Sequence, residues 1–393
     1  MRKVLLGAAL AAVVLAPAAA TASSNASVKL ALLPLPKSAL GAVGRHLPIA
    51  HDSGVVSNSD AANTASAHVT AKQLKRLGRV SGYLLDYGTP FGGSAGVHEI
   101  QTEIDRYRSA AAASKGLAFW RRDEVKGPPK IRGIQFSVKK LQLSGLPKPS
   151  WSYVGSVSIK GLKPVRGVDA EIQRGPYLLD ISIGAGSAAA AARLVPTIAR
   201  HFYARLRLAL AGRLHAGPVA VPPALKPGPP PHGPKPSVLA VKTADLGAGS
   251  KVLHRRYIRP KASLDENALS VYDLTIASGG SFPILSQELI VGTSQLEMKY
   301  FAAVVLSAAV GSGSGSGKGV KATPVDVGSV GDNARGELAR VDVNGQSVAE
   351  EAIVLTRGTY LDFLVEASPT AFKAADVRKL ASLAAKRLNA GFH

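Results

Sequence analysis

Apolar residues recur along this chain with two periods, and the order in which those periods alternate repeats once. Leu194, Ile198, Phe202, Leu206 and Leu210 stand four residues apart, the spacing of a helix laid on a sheet, with Pro196 in its first turns. Upstream of that helix, strand-like runs cover 82–87, 97–107, 134–143, 151–159 and 166–173. A short helix is predicted over 71–77, and a longer one opens at Ser109, whose hydroxyl can cap it. The same order returns downstream. A short helix over 265–269 leads into strands over 270–276 and 284–291, then a helix from Ser294 to Gly311. Ser294 and Glu297 have the spacing of a capping box, and Gly311 is a stop signal. Strands over 337–343 and 348–356 and a terminal helix reaching Lys386-Arg387-Leu388 complete the second set.

The two sets share short words as well as order. Arg174-Gly175-Pro176-Tyr177-Leu178 joins the last two strands upstream, and Arg357-Gly358-Thr359-Tyr360-Leu361 does so downstream. A repeated supersecondary order with matching turn words implies duplication. The predicted fold class is α+β: two tandem copies of an antiparallel-sheet domain, each with a mid-domain helix and a C-terminal helix. Between Gly217 and Pro236 lie nine prolines, which favour extended polyproline II and predict a semi-rigid spacer. The expected organisation is a first domain over 23–213, a linker over 214–236 and a second domain over 237–393. The loops at 127–129 and 311–319 occupy corresponding places, one proline-rich and stiff, the other Gly-Ser-rich and flexible.

The amino end changes the picture. Arg2 and Lys3 precede the apolar run 4–16, and small residues follow through Ala18, Ala20 and Ala22, the pattern of a secretory signal peptide over 1–22. The run is short of the ~20 residues a spanning helix needs, so cleavage after Ala20 or Ala22 is expected, with no transmembrane helix thereafter. The next most apolar run, 300–310, is about half the required length. The expected location is secreted or cell-envelope, outside the cytoplasmic membrane. The absence of cysteine excludes disulfides, thiolate metal sites, a cysteine nucleophile and a lipid-bearing cysteine. A hydrophobic content of 46% excludes wholesale disorder.

The stretch Val327-Gly328-Ser329-Val330-Gly331-Asp332-Asn333-Ala334, a following strand, then Leu355-Thr356-Arg357-Gly358 with Tyr360 and the terminal helix, resembles the end of exported actinobacterial sensor-like domains. Those domains occur outside the membrane on some serine/threonine kinases, and free-standing as envelope lipoproteins. The resemblance covers about the last 70 residues of the second copy well and the first copy loosely. It implies a cleft between sheet and helices and a ligand-binding or structural role. It carries over no functional residue, and this chain has neither the lipobox cysteine nor the cysteine pairs of some such domains.

Three words imitate catalytic or cofactor motifs. Gly92-Gly93-Ser94-Ala95-Gly96 spells the serine-hydrolase elbow, but that chemistry needs a strand before the serine and a helix after it; here a strand follows. Gly184-Ala185-Gly186-Ser187-Ala188-Ala189 spells a dinucleotide fingerprint without the later parallel strand and acidic residue. His51-Asp52-Ser53 holds triad residue types, yet adjacent side chains diverge. His46, His51, His68 and His98 show no helix-spaced pair for a metal. No catalytic residue, cofactor or metal is therefore assigned. Glu99, Glu103 and Asp105 are the clustered acids of the first domain and read as solvated strand positions.

Charge supplies the remaining lead. From Ala26 to Arg213 there are 27 basic and 11 acidic residues, a net of +16; from Ser237 to His393 there are 17 and 15, a net of +2. Lys72, Lys75, Arg76 and Arg79 cluster in one segment, and Arg193, Arg200 and Arg207 recur every seven residues along the terminal helix, on its outer face. Outside a membrane the available polyanions are lipid headgroups and acidic wall polymers. Export argues against dedicated nucleic-acid binding. The expectation is a non-enzymatic envelope binding or structural protein whose first domain contacts anionic lipid or wall polymer through those seven bases. The alternatives are a carrier of an apolar ligand held between sheet and helices, and a wall-polymer hydrolase.

Overall fold

The computed structural model describes residues 28–63, 69–88, 96–126, 134–159, 164–223, 225–258, 268–278, 283–312, 322–343 and 346–392. The expected signal peptide and Ser94 lie outside them, as do His68, the loops at 127–129 and 313–319, and most of the short helix expected over 265–269. The described chain falls into two compact units that meet in sequence at Pro223 and Ala224.

The first unit is a seven-stranded antiparallel sheet. Its strands are β1 (Gly54–Val56), β2 (Arg79–Gly88), β3 (Val97–Tyr107), β4 (Ile134–Lys140), β5 (Ser150–Ile159), β6 (Val165–Arg174) and β7 (Tyr177–Ala185). They lie in the order β1-β2-β3-β7-β6-β5-β4. Helices α1 (Gly41–Arg45), α2 (Asn58–Asn63), α3 (Ala71–Leu77), α4 (Ala110–Lys126) and α5 (Ala188–Leu210) complete it.

Each sheet face is covered. On one, Leu85, Ile100, Ile104, Leu179 and Ile181 pack against Val195, Ile198, Phe202 and Leu206 of α5. On the other, Tyr107 and Leu178 pack against Leu74 of α3 and Ala113, Leu117 and Trp120 of α4. Strands buried on both faces lose the simple apolar-polar alternation, and β6 accordingly runs through six consecutive buried residues.

The second unit repeats this plan. Its strands are β8 (Lys251–Ile258), β9 (Ser270–Ala277), β10 (Ile284–Val291), β11 (Thr323–Val325), β12 (Asn333–Val343), β13 (Gln346–Arg357) and β14 (Tyr360–Ser368). Read from β8, their order is β8-β9-β10-β14-β13-β12-β11, the first unit's order position by position. Helices α6 (Pro236–Leu239) and α7 (Thr243–Leu246) lead in, α8 (Gln295–Ser312) follows the third strand as α4 does, and α9 (Ala374–Ala390) follows the last strand as α5 does. Tyr177 and Tyr360 each open the central strand after a two-residue turn whose glycine has positive φ, 55° at Gly175 and 57° at Gly358. The repeated word is thus the hairpin turn itself, where only glycine is at ease in first position.

The proline-rich segment does not stand apart from both units. Leu214, Val219 and Val221 pack on the first core, and the Pro223 carbonyl bonds the His51 ring at 3.0 Å. From Gly228 onward the chain belongs to the second unit: Ser270 donates to the Gly228 carbonyl at 2.6 Å, Tyr360 to that of Pro234 at 2.9 Å, and Leu239 and Val241 enter the core. Residues 234–241 do for the second sheet what 28–40 do for the first, where Leu33, Leu35 and Leu40 are buried and Tyr87 donates to the Leu35 carbonyl at 2.6 Å.

Candidate functional site

The basic residues singled out by sequence divide among three environments. At α3, Thr70 accepts from the Gln73 amide while the Gln73 side chain accepts from Thr70, a complete capping box, and Gly78 ends the helix with φ 91°. Leu74 is buried between them and Lys72, Lys75 and Arg76 are exposed. Arg79 is not exposed with them. The turn at Gly78 sends it under the helices at 2% exposure, where Nη2 donates to Asp105 at 2.6 Å and Glu103 at 3.3 Å, and Nη1 to the Ser57 carbonyl at 3.1 Å and Asn58 at 3.0 Å. Burial opposes its charge, but Asp105 and Glu103 outweigh burial and hold the guanidinium above its usual pKa. Gly82 makes room for this ion pair: a Cβ there would sit 2.4 Å from both the Arg79 Nη2 and the Asp105 carboxylate.

On α5, Ser187 caps the first turn and Ala191, Val195, Ile198, Ala199, Phe202 and Leu206 are buried. Leu194 is only half-buried and Leu210 is exposed, because the buried stripe of a 3.6-residue helix drifts off a strict fourfold row. Arg193, Arg200 and Arg207 are exposed. Arg193 donates to the Ala189 carbonyl at 3.3 Å and Arg200 to that of Pro196 at 3.2 Å, so both lie along their own helix. The helix contains no Asp or Glu, and the three arginines span about 21 Å of it at ~1.5 Å per residue. α3 and α5 cover opposite faces of the sheet, so the structure does not bring the two basic groups together.

The acids of the first unit are placed in the opposite way. Seven of its 11 carboxylates, Asp86, Glu99, Glu103, Asp105, Asp169, Glu171 and Asp180, lie on the sheet face that α4 covers, and the registers set Glu103 opposite Asp180 and Asp180 opposite Glu171. Glu99, Glu103 and Asp105 are 8%, 8% and 6% exposed, so they are not the solvated positions expected of an open strand face. The space beside Glu103, Glu171, Asp180 and Trp120 amounts to about 10 Å³, room for at most about one water. No described acidic residue of this unit is exposed.

The motif-like words have packing explanations. Gly184 faces β3, where a Cβ would meet His98 at 2.8 Å and Glu99 at 3.2 Å; the following serine is the cap of α5. In His51-Asp52-Ser53, the histidine bonds Pro223 and Ser53 Oγ accepts from the Asp86 amide at 3.0 Å, so the side chains part as expected. His46 is exposed and His98 buried. Among the described residues no three His, Asp or Glu side chains group to hold a metal ion, and no helix is long and apolar enough to cross a membrane.

The second unit holds carboxyl groups that sequence reasoning missed. Asp362 is fully buried and accepts from the Gln287 amide at 2.8 and 3.0 Å; burial pushes its pKa up to about 7. Gln287 in turn accepts from the Val241 amide at 2.9 Å, tying the lead-in segment to the sheet. Glu351 on β13 stands directly opposite Glu366 on β14, and burial together with that neighbour raises it to about 8. Periodicity gave no signal for them: on β14 Leu361, Phe363 and Val365 alternate with Asp362 and Glu366, a pattern that puts the acids on a polar face, and only the burial of Tyr360 and Leu364 on that same face encloses them.

No family model and no curated relative matches the sequence. Among solved structures, the extracellular domain of PknH from Mycobacterium tuberculosis is similar at a TM-score of 0.29 and 12% identity, over 44% of this chain and 95% of that one. The likeness is too loose to bear on function.

Proposed function

We propose that this protein is an exported, non-enzymatic module of the cell envelope whose first unit binds an anionic wall polymer. The observation that carries the proposal is the segregation of charge. The first unit buries or half-buries its described carboxylates while exposing Lys72, Lys75 and Arg76 on one outer layer and Arg193, Arg200 and Arg207 on the other. The field outside it is thus more uniformly positive than a net of +16 spread at random would be. Bases on both layers favour a flexible polymer, which can follow a curved surface, over a bilayer, which meets one layer at a time. The carrier alternative is not favoured for the first unit, because the layer between its sheet and α5 is filled by Leu179, Ile181, Ile198 and Phe202, each at most 1% exposed. Nor is the hydrolase, because the clustered acids have almost no free volume beside them.

The test uses the full chain, isolated anionic wall polymer and anionic liposomes, with salt as the variable. Attraction between exposed charges is screened over about 10 Å at 0.1 M salt, so binding should weaken steeply as salt rises. Replacing Arg193, Arg200 and Arg207 by glutamine, and separately Lys72, Lys75 and Arg76, should each weaken polymer binding. Liposome binding lost with only one set would replace the polymer by a bilayer. Binding indifferent to salt or to both sets would reject a polyanion partner.

A further inference from the structure

The second unit departs from the first at one corner of its sheet. In the first, α5 starts three residues after β7 ends, and the edge strand β4 pairs with β5 along seven residues. In the second, β14 ends at Ser368 and α9 starts only at Ala374, leaving a five-residue loop. The helix is also shorter, 17 residues against 23. The edge strand β11 is cut to three residues and reaches β12 only as far as Thr323 opposite Leu338. Beyond Leu338, among the described residues, β12 has no strand on its outer side.

These departures meet at a cleft of about 290 Å³. Leu338 and Ala349 line it from the sheet, Ala371 and Phe372 from the loop before α9, and Arg340 from the exposed end of β12. Arg340 donates to Ser347 at 3.4 Å and has no carboxylate partner among the described residues. One row along the same face stand Glu351 and Glu366, opposite Leu338 and each other. Both are raised above their ordinary values, chiefly by burial, which lessens the negative charge set against an anion at Arg340.

We propose that this cleft binds a small apolar carboxylate, its apolar body against Leu338, Ala349 and Phe372 and its carboxylate on the Arg340 guanidinium. A planar guanidinium beside apolar walls suits that pairing, because it can hold both carboxylate oxygens at once. The volume is at the lower limit of ligand sites, roughly 300–1,000 Å³, which restricts the ligand to a short acyl chain or the apolar end of a longer molecule. This site belongs to the nearly neutral unit and is independent of the polyanion proposal.

Equilibrium dialysis of the full chain against hexanoate and N-acetyl-leucine tests it, with hexanol and N-acetyl-leucinamide as uncharged counterparts. At least one carboxylate should bind about tenfold or more tightly than its counterpart, the range of a charge-assisted hydrogen bond. Which one binds separates a free acyl chain from a peptide end. Arg340→Gln should erase the preference, and Ala371→Trp, a filling change at an exposed loop position, should block both carboxylates. No binding at millimolar concentration, equal binding of the uncharged counterparts, or a preference that survives Arg340→Gln would overturn the proposal.

Discussion

At the scale of single residues, the informative groups are those whose charge and burial conflict. Arg79 was legible as a base but not as a buried one, because Lys75, Arg76 and Arg79 look alike until Gly78 turns the chain. Its role should be structural. Arg79→Met leaves Asp105 and Glu103 without the cation that faces them, and breaking a buried pair from one side costs about 3–5 kcal/mol. Urea unfolding of the first unit should show a loss of that order; a loss below about 1 kcal/mol would mean that the pair contributes little. In the second unit the conflict appears as pH dependence. Asp362 and Glu351 keep their protons in the folded state up to about pH 7 and 8, whereas unfolded carboxylates release theirs near pH 4. Stability from such groups is complete only below about pH 4 and is lost progressively as pH rises from there to about 7 and 8. The second unit should therefore melt at a higher temperature at pH 5.5 than at pH 8.5, and Asp362→Asn with Glu351→Gln should remove most of the difference. An unchanged slope in the double variant would show that other groups set it.

At the scale of elements, legibility followed periodicity. The helix over 71–77 and the strands over 97–107 and 284–291 were readable to the residue, since each presents a run with clear stops. β1, β8 and β11 were not, being short or exposed edge strands with no buried face to impose a pattern; β8 exposes Leu253 at 51%. Nor were the arms at 28–40 and 234–241, whose leucines and prolines reach the core without any regular period. The acid face was hidden for another reason: only the coverage of both sheet faces turns a polar strand position into a buried one. Helix α5 shows what could be read. Its exposed arginines bond only near their own turn, so replacing Arg193, Arg200 and Arg207 by glutamine should leave the melting temperature nearly unchanged, as surface changes do. Arg205 lies on the same helix but is half-buried and donates to the Leu32 carbonyl at 2.8 Å. Arg205→Gln should cost on the order of 1–3 kcal/mol, the range for a charged hydrogen bond. Thermal melts of the triple and single variants separate the two kinds of arginine.

At the scale of the whole molecule, duplication has produced two units with one plan and different surfaces. Each has its own hydrophobic core, and the lead-in segment from Gly228 belongs to the second, so a division at Ala224 cuts no element of either. The net charge divides there as well, +16 over 23–223 and +4 over 225–393, and the second unit exposes Asp326, Asp332 and Asp376 where the first exposes no described acid. The two halves, expressed from 23–223 and 225–393, should each fold cooperatively and should differ in binding. The first should retain the chain's affinity for anionic wall polymer and its steep loss with salt, while the second should bind polymer weakly at any salt. Equal retention of both halves on the polymer would show that the uneven charge is a solubility feature. A first half that folds but binds only when joined to the second would place the contact outside the faces of α3 and α5.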